Sequence, residues 1–272
     1  MYADDLKIFR TVSSKTDCEL LQQDLNSVQK WLETIGLHFH PNKCFKMSYS
    51  SKKMKLDHPY YIEGTQLQEV ESYSDLGVIL SNNLSWRKHI DDVTVRAYRK
   101  LGMIIRFCKP IQDADAILLL YKSIVRSTLE YCSVLWNPET KSDTKKIEDV
   151  QASFVRYLFQ KLNGFYPKYP QNIGYSTLIE NIPMESIETR FENNQIKLLR
   201  DVLTNKINSP NITSNITFKI PDNRLRIDPS KLFEVSNNKT MLKSPTMFAM
   251  NTYNNMEPKP DIFTPQTKLT CR

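Results

Sequence analysis

Two adjacent carboxylates, Asp4 and Asp5, follow an aromatic and a small residue in the opening run Met1-Tyr2-Ala3-Asp4-Asp5-Leu6-Lys7-Ile8-Phe9. Carboxylates this close repel each other unless a cation lies between them. Hard oxygen ligands presented in a turn suit Mg²⁺. A pair of such ions can clamp the attacking and leaving oxygens of a phosphoryl transfer. Lys43 follows Pro41-Asn42 in a second turn. An ammonium there can neutralise phosphate charge, and its surroundings can tune its acidity; alone, it equally suits a solvated turn. Leu76-Gly77 interrupts the apolar run from Tyr73 to Leu80. Glycine weakens a strand unless another backbone must come close, so this hairpin is either an ordinary edge or a place of contact.

Other chemistry-bearing residues read more plainly. His38 and His40 fall on one face of an extended segment near Cys44. No second ligand pair at zinc spacing accompanies them, so they are not taken as a metal site. His58 and His89 are isolated and read as surface residues. No glycine-rich phosphate loop is present.

The elements that must position these groups follow from periodicity. Leu6 and Ile8 alternate with Lys7 and Phe9, the pattern of a short strand. Thr16-x-x-Glu19 has the form of a capping box. Leu21, Leu25, Val28, Leu32 and Ile35 then predict an amphipathic helix with Trp31 in its core, closed at Gly36. Leu37 and Phe39, then Phe45, Met47 and Tyr49, alternate as strands, and Lys52-Lys53-Met54-Lys55 is a basic loop. Ser85 can cap a helix whose apolar stripe is Trp86, Ile90, Val93, Ala97, Leu101 and Ile104. Its other face carries Arg87, Lys88, Arg96, Arg99 and Lys100. A second helix starts at Asp113. A third buries Ile147, Val150, Phe154 and Leu158 and leaves Lys145, Lys146 and Arg156 for solvent. Such faces fit phosphate contacts made without reading sequence; a plain three-helix bundle with a solvated basic side would look the same. Spans 175–182 and 184–208 read as helices, the latter with Ile187, Phe191, Leu198 and Val202 inward. From Ser209 onward Asn, Thr, Pro and Lys dominate, periodicity is lost, and the tail reads as poorly packed.

Composition sets bounds. The 272 residues are 40% hydrophobic, enough for one large or two small domains. The formal charge of +7 fits a polyanionic partner. Five scattered cysteines suit free thiols in a reducing compartment. No apolar run of membrane-spanning length and no signal pattern occurs, so an intracellular place, nucleus or cytoplasm, is expected. A strand should precede the Asp4-Asp5 turn to complete a hairpin, and almost no chain stands before it; a piece of a longer protein is expected.

Tyr2-Ala3-Asp4-Asp5 resembles the Tyr-x-Asp-Asp box of reverse transcriptases. Leu37 to Cys44 is similar to the family's "Leu-x-Leu-Asn-Pro-x-Lys-Cys" turn, with His40 where Asn is usual. Tyr73 to Leu80 resembles the "Tyr-x-x-Leu-Gly-x-x-Leu" hairpin of non-LTR retrotransposon enzymes. Four more boxes resemble the thumb and following segment of jockey-like LINE elements. They are Leu-Ser-Trp-x-x-His-Ile (84–90), Leu-Tyr-Lys-x-x-Val (120–125), Leu-Glu-Tyr-Cys-Ser-x-x-Trp (129–136) and Ile-Glu-x-Val-Gln (147–151). Ser186-Ile187-Glu188-Thr189-Arg190-Phe191 keeps one arginine of a later double-Arg motif.

The resemblance implies an α+β fold: a partial reverse-transcriptase palm (1–80), a helical thumb (81–163), a helical C-terminal region (164–208) and an irregular tail (209–272). It implies an RNA-directed DNA polymerase using an RNA template, a DNA primer and dNTPs with two Mg²⁺. Asp4 and Asp5 would be catalytic metal ligands and Lys43 the acid toward pyrophosphate. Leu76 and Gly77 would grip the primer, and Arg87, Lys88 and Arg96 would contact nucleic acid. The family's third carboxylate belongs to an earlier palm strand outside these residues, so the chain is expected to be inactive alone. The alternatives are a non-specific nucleic-acid-binding module and a remnant without activity.

Overall fold

The computed structural model describes residues 5–49, 56–138, 140–167, 172–220, 231–238 and 241–264. Helices dominate, and the strands are short and paired two by two, a mixed helix-and-sheet composition in keeping with an α+β fold. The chain divides into two compact units, Met1–Lys88 and His89–Arg272.

The first unit opens with helix α1 (Lys15–Thr34). Its cap is Ser14, not Thr16. The Ser14 hydroxyl accepts from the Asp17 backbone N–H, and the Asp17 carboxylate accepts from the Ser13 and Ser14 N–H groups at 2.9 Å. The Ser14 hydroxyl thus satisfies a free donor of the first turn, and Asp17 satisfies two backbone donors just before it. These bonds hold the Asp17 carboxyl below the usual range. Of the α1 stripe only Cys18 is fully buried. Trp31, expected in the core, is 48% exposed and Ile35 49%. Strands β1 (Phe45–Lys46) and β4 (Gln68–Glu69) pair in parallel, and β2 (Tyr61–Ile62) pairs antiparallel with β3 (Thr65–Gln66). Residues 6–14 form no strand, although Leu6 and Ile8 are half-buried and Lys7 and Phe9 exposed as alternation required. Strands β5 (Ser72–Asp75) and β6 (Val78–Ser81) form a hairpin with Asp75 opposite Val78. Leu76 (φ 46°) and Gly77 (φ 81°) are its two-residue turn. Positive φ at both central positions is what the I′ turn of a tight hairpin demands. Gly77 is therefore a turn residue, not a strand residue.

The second unit is a helical assembly. Helix α2 (Arg87–Phe107), which begins two residues before it, buries Ile90, Val93, Ala97, Leu101 and Ile104, the stripe its periodicity predicted. Asp113 caps α3 (Ala114–Leu120) through the Asp115 and Ala116 N–H groups. A π-helical turn (Tyr121–Arg126) and two short helices, α4 (Ser127–Glu130) and α5 (Ser133–Trp136), follow. Helix α6 (Lys141–Asn163) buries Ile147, Val150, Phe154 and Leu158 as expected. Helix α7 (Tyr175–Glu180) ends before residue 182, and α8 (Ile187–Leu203) is shorter at both ends than 184–208.

The tail departs from expectation. After α9 (Pro210–Thr213), Phe218 bridges to Phe233, and α10 (Pro245–Asn255) packs on α8. Ile196, Leu199, Phe233, Ala249, Met250, Tyr253 and Ile262 make one apolar cluster. The buried Asn254 amide clamps both the N–H (3.0 Å) and C=O (2.8 Å) of Phe233.

Candidate nucleic-acid interface

In the first unit the chemistry gathers beside the β5–β6 hairpin. Asp4 lies outside the described residues, as do Tyr2 and the basic loop 52–55. Asp5 is exposed. Two residues on, the Lys7 ammonium pairs with the Asp75 carboxylate. Asp75 immediately precedes the Leu76-Gly77 turn, so the start of the chain is tied to the hairpin. The Tyr49 phenol is pushed up by burial and by the charge of Asp75, with Lys7 opposing. The Phe45 and Tyr73 rings lie 5.7 Å apart. Lys43 ends an exposed 3₁₀ turn, Pro41–Lys43. Among the described residues no hydrogen bond or ion pair joins it to Asp5. Lys46 is a half-buried, paired cation: its ammonium meets Glu69 at 3.0 Å, Asp57 at 3.3 Å and the His58 carbonyl at 3.0 Å. Only spatial proximity across the β1–β4 pair marks that role.

The Asp5 carboxylate has the hard oxygen that Mg²⁺ prefers. Among the described residues, however, no three acidic, His or Cys side chains converge on one point. These donors by themselves do not complete a metal site.

In the second unit the candidate surface is the face of α2 opposite its buried stripe. Several expected cations are engaged. Arg96 pairs with Asp92 at 2.8 Å, Lys100 donates to the Thr128 hydroxyl at 2.7 Å, and Lys146 pairs with Asp91 at 2.6 Å. Arg87 and Lys88 are exposed at the start of α2, where Lys88 reaches the Ser72 hydroxyl at 3.4 Å. Arg99 and Arg106 are exposed. Arg106, on the same face, went unremarked in the sequence because it lies beyond the charge cluster.

The remaining boxes converge on a buried polar frame. Tyr121 stacks on Phe154 at 3.9 Å and donates to the Gln151 side chain at 3.2 Å. Gln151 donates to the Glu185 carbonyl and the Tyr175 hydroxyl. Glu148 accepts from the Tyr175 hydroxyl and from the Ile187 N–H at 2.9 Å, capping α8. Burial pushes the Glu148 carboxyl up despite those bonds. Arg190 forks onto Glu130, with its second bond 3.0 Å long, while Arg126 approaches the same carboxylate at 3.4 Å. Trp136 is fully buried, edge-on to Phe191. His89 is not a surface residue: it is 1% exposed, 4.9 Å from Trp136, and burial lowers its pKa to about 4. These side chains hold helices together.

The motif order and the relatives agree on a class: the matched part of the chain is similar to a jockey-like non-LTR reverse-transcriptase region. The chain is 26% identical over 165 residues to the RNA-directed DNA polymerase from mobile element jockey of Drosophila funebris, covering 57% of this chain and 17% of that protein. Its Drosophila melanogaster counterpart is 24% identical over 158 residues, with the same two shares. The probable RNA-directed DNA polymerase from transposon X-element of Drosophila melanogaster is 21% identical over 160 residues, 58% of this chain and 18% of that one. The chain thus spans less than a fifth of these relatives. No family model and no solved structure matches it.

Proposed function

We propose that the chain is part of an RNA-directed DNA polymerase of a non-LTR retrotransposon, with residues 1–80 as partial palm, 81–163 as thumb and the rest as its C-terminal region. The similarity to jockey polymerases over 57% of the chain carries this reading. Asp4 and Asp5 hold Mg²⁺ in the whole polymerase, Lys43 serves the leaving pyrophosphate, and Leu76-Gly77 contacts the primer end. The tie between Lys7 and Asp75 supports a place for the neighbouring Asp5 near the hairpin. Two magnesium ions would polarise the transferred phosphoryl group and stabilise its leaving oxygen. Alone, the chain does not polymerise: among the described residues no group of three acidic, His or Cys side chains completes a metal site around Asp5. Its place would be the nucleus or cytoplasm.

The purified chain, given a primed RNA template, dNTPs and Mg²⁺, is expected to leave the primer unextended. Extension that disappears in Asp4→Asn would contradict the inactivity and uphold the assignment of the doublet.

A second reading concerns what the isolated chain still does. The exposed Arg99 and Arg106 and the net charge of +7 support weak nucleic-acid binding without sequence preference.

A further inference from the structure

Lys7 and Asp75 stand 68 positions apart, yet the Lys7 ammonium donates to the Asp75 carboxylate. The Asp75 side chain is 15% exposed and the Lys7 side chain 55%, so the carboxylate is the more withdrawn partner. A withdrawn charge that loses its partner is left poorly solvated, which favours one fixed arrangement. The β5–β6 hairpin does not need this pair. Four residue pairs and a turn with positive φ at both central positions already define it.

The opening segment does need it. Among the described residues, 6–12 belong to no ladder and make no backbone–backbone hydrogen bond. Side chains must therefore fix the path. Arg10 reaches the Asp24 carboxylate of α1 through Nε (3.2 Å) and Nη2 (2.8 Å), but both partners are well exposed and water screens them. Leu6 and Ile8 are half-buried while Asp5, Lys7 and Phe9 are exposed, so Asp5 and Lys7 share one face of the segment. The ammonium thus stands two residues after Asp5, and its carboxylate partner stands immediately before the Leu76-Gly77 turn. The Tyr49 phenol lies close enough to feel both charges.

We infer that Lys7 and Asp75 are a positioning pair that sets the spacing between the Asp4-Asp5 doublet and the Leu76-Gly77 turn. This role rests on the polymerase reading of doublet and turn and deepens it. Neither Lys7 nor Asp75 is given a contact with metal or primer; the pair ties the segment that would hold one to the turn that would meet the other. Such spacing demands support from side chains locked by their own partners.

The test uses the isotope-labelled full chain, amide NMR and Mn²⁺, a paramagnetic ion that shares the preference of Mg²⁺ for carboxylate oxygens. In the wild type, Mn²⁺ is expected to broaden the Leu6 and Gly77 amides, and both effects should vanish in Asp4→Asn/Asp5→Asn. In Lys7→Met and in Asp75→Asn, Leu6 should still broaden and Gly77 should not, with the hairpin keeping its folded cross-peaks. Lys7→Arg, which preserves the charge, should restore the broadening at Gly77. If Gly77 stays broadened in both Lys7→Met and Asp75→Asn, or is never broadened, the positioning role fails while the doublet stands as a metal holder. Loss of the hairpin cross-peaks in those variants would also overturn it, leaving the pair a support of the fold. If Leu6 is unaffected in the wild type, the reading of the doublet fails as well.

Discussion

Residues 1–88 carry eleven basic and eleven acidic side chains, whereas residues 89–272 carry 26 and 19, so the whole positive surplus belongs to the second unit. Buried apolar side chains divide as unevenly. Among the described residues the first unit has four (Cys18, Tyr60, Ile62 and Val78) and the second has twenty-nine. The described residues that resemble a catalytic site therefore sit on a thin frame of two- to four-residue strands and a half-covered helix. The residues suited to holding a polyanion sit on a thoroughly packed one. Positioning reacting groups asks for tolerances of about 0.5 Å, which packing and supporting hydrogen bonds must enforce. Phosphate attraction needs charge and tolerates looser geometry. The difference supports the proposed binding by the isolated chain more than it supports catalysis.

The sharpest way to break this contrast is in the cores. Trp136→Ala should cost about 3–5 kcal/mol, as for other large buried aromatics. Trp31→Ala should stay within about 1 kcal/mol, because its ring is already half in water. Urea unfolding followed by far-UV circular dichroism compares the two. Equal losses would mean that the first unit is packed as firmly as the second.

The next effect concerns the polar frame. Removing Arg190 leaves Glu130 with Arg126 as its remaining cation at 3.4 Å. Because the pair is only partly buried, Arg190→Ala should lose about 2 kcal/mol, below the usual toll for a fully buried pair. Arg190→Lys should recover part of that, since lysine replaces the charge but not the fork. Recovery as complete as the wild type would show that geometry at this pair is immaterial.

The smallest effect is a pH dependence confined to the second unit. Burial lowers the folded pKa of His89 to about 4 from its usual 6.5. Below pH 6.5 the unfolded chain takes up a proton that the folded protein refuses. His89 thus contributes a loss of stability as pH falls from 6.5 toward 4, on the order of 1–2 kcal/mol allowing for partial screening. His89→Phe should flatten the stability profile in that window. An unchanged slope would mean that His89 is not the group responsible.

The stripes of α2 and α6 were legible because one period governs many residues and packing error averages out. So was the Leu76-Gly77 bend, although its glycine sits in the turn and not in a strand. Other features depend on residues far apart in the chain. The burial of His89 needs Trp136, and the engagement of Arg190 needs Glu130, partners with no local signature. The C-terminal cluster takes single residues from separate segments, Phe233, Ala249, Tyr253 and Ile262, so no periodicity announced it. The α1 stripe misled in the opposite sense: helical spacing predicts an apolar face but says nothing about whether a neighbour covers it. Several boxes that invited a functional reading, with Tyr121, Glu148, Gln151 and Arg190, prove to hold helices together.

The central claim, that the helical unit retains phosphate-directed binding, is tested most directly by fluorescence anisotropy of the full chain with an RNA–DNA hybrid across salt concentrations. Two or three phosphates neutralised by arginine predict binding that weakens roughly 10- to 40-fold between about 50 and 200 mM salt, with little dependence on base sequence. Affinity that stays constant across that range, or no binding at its low end, would contradict the account.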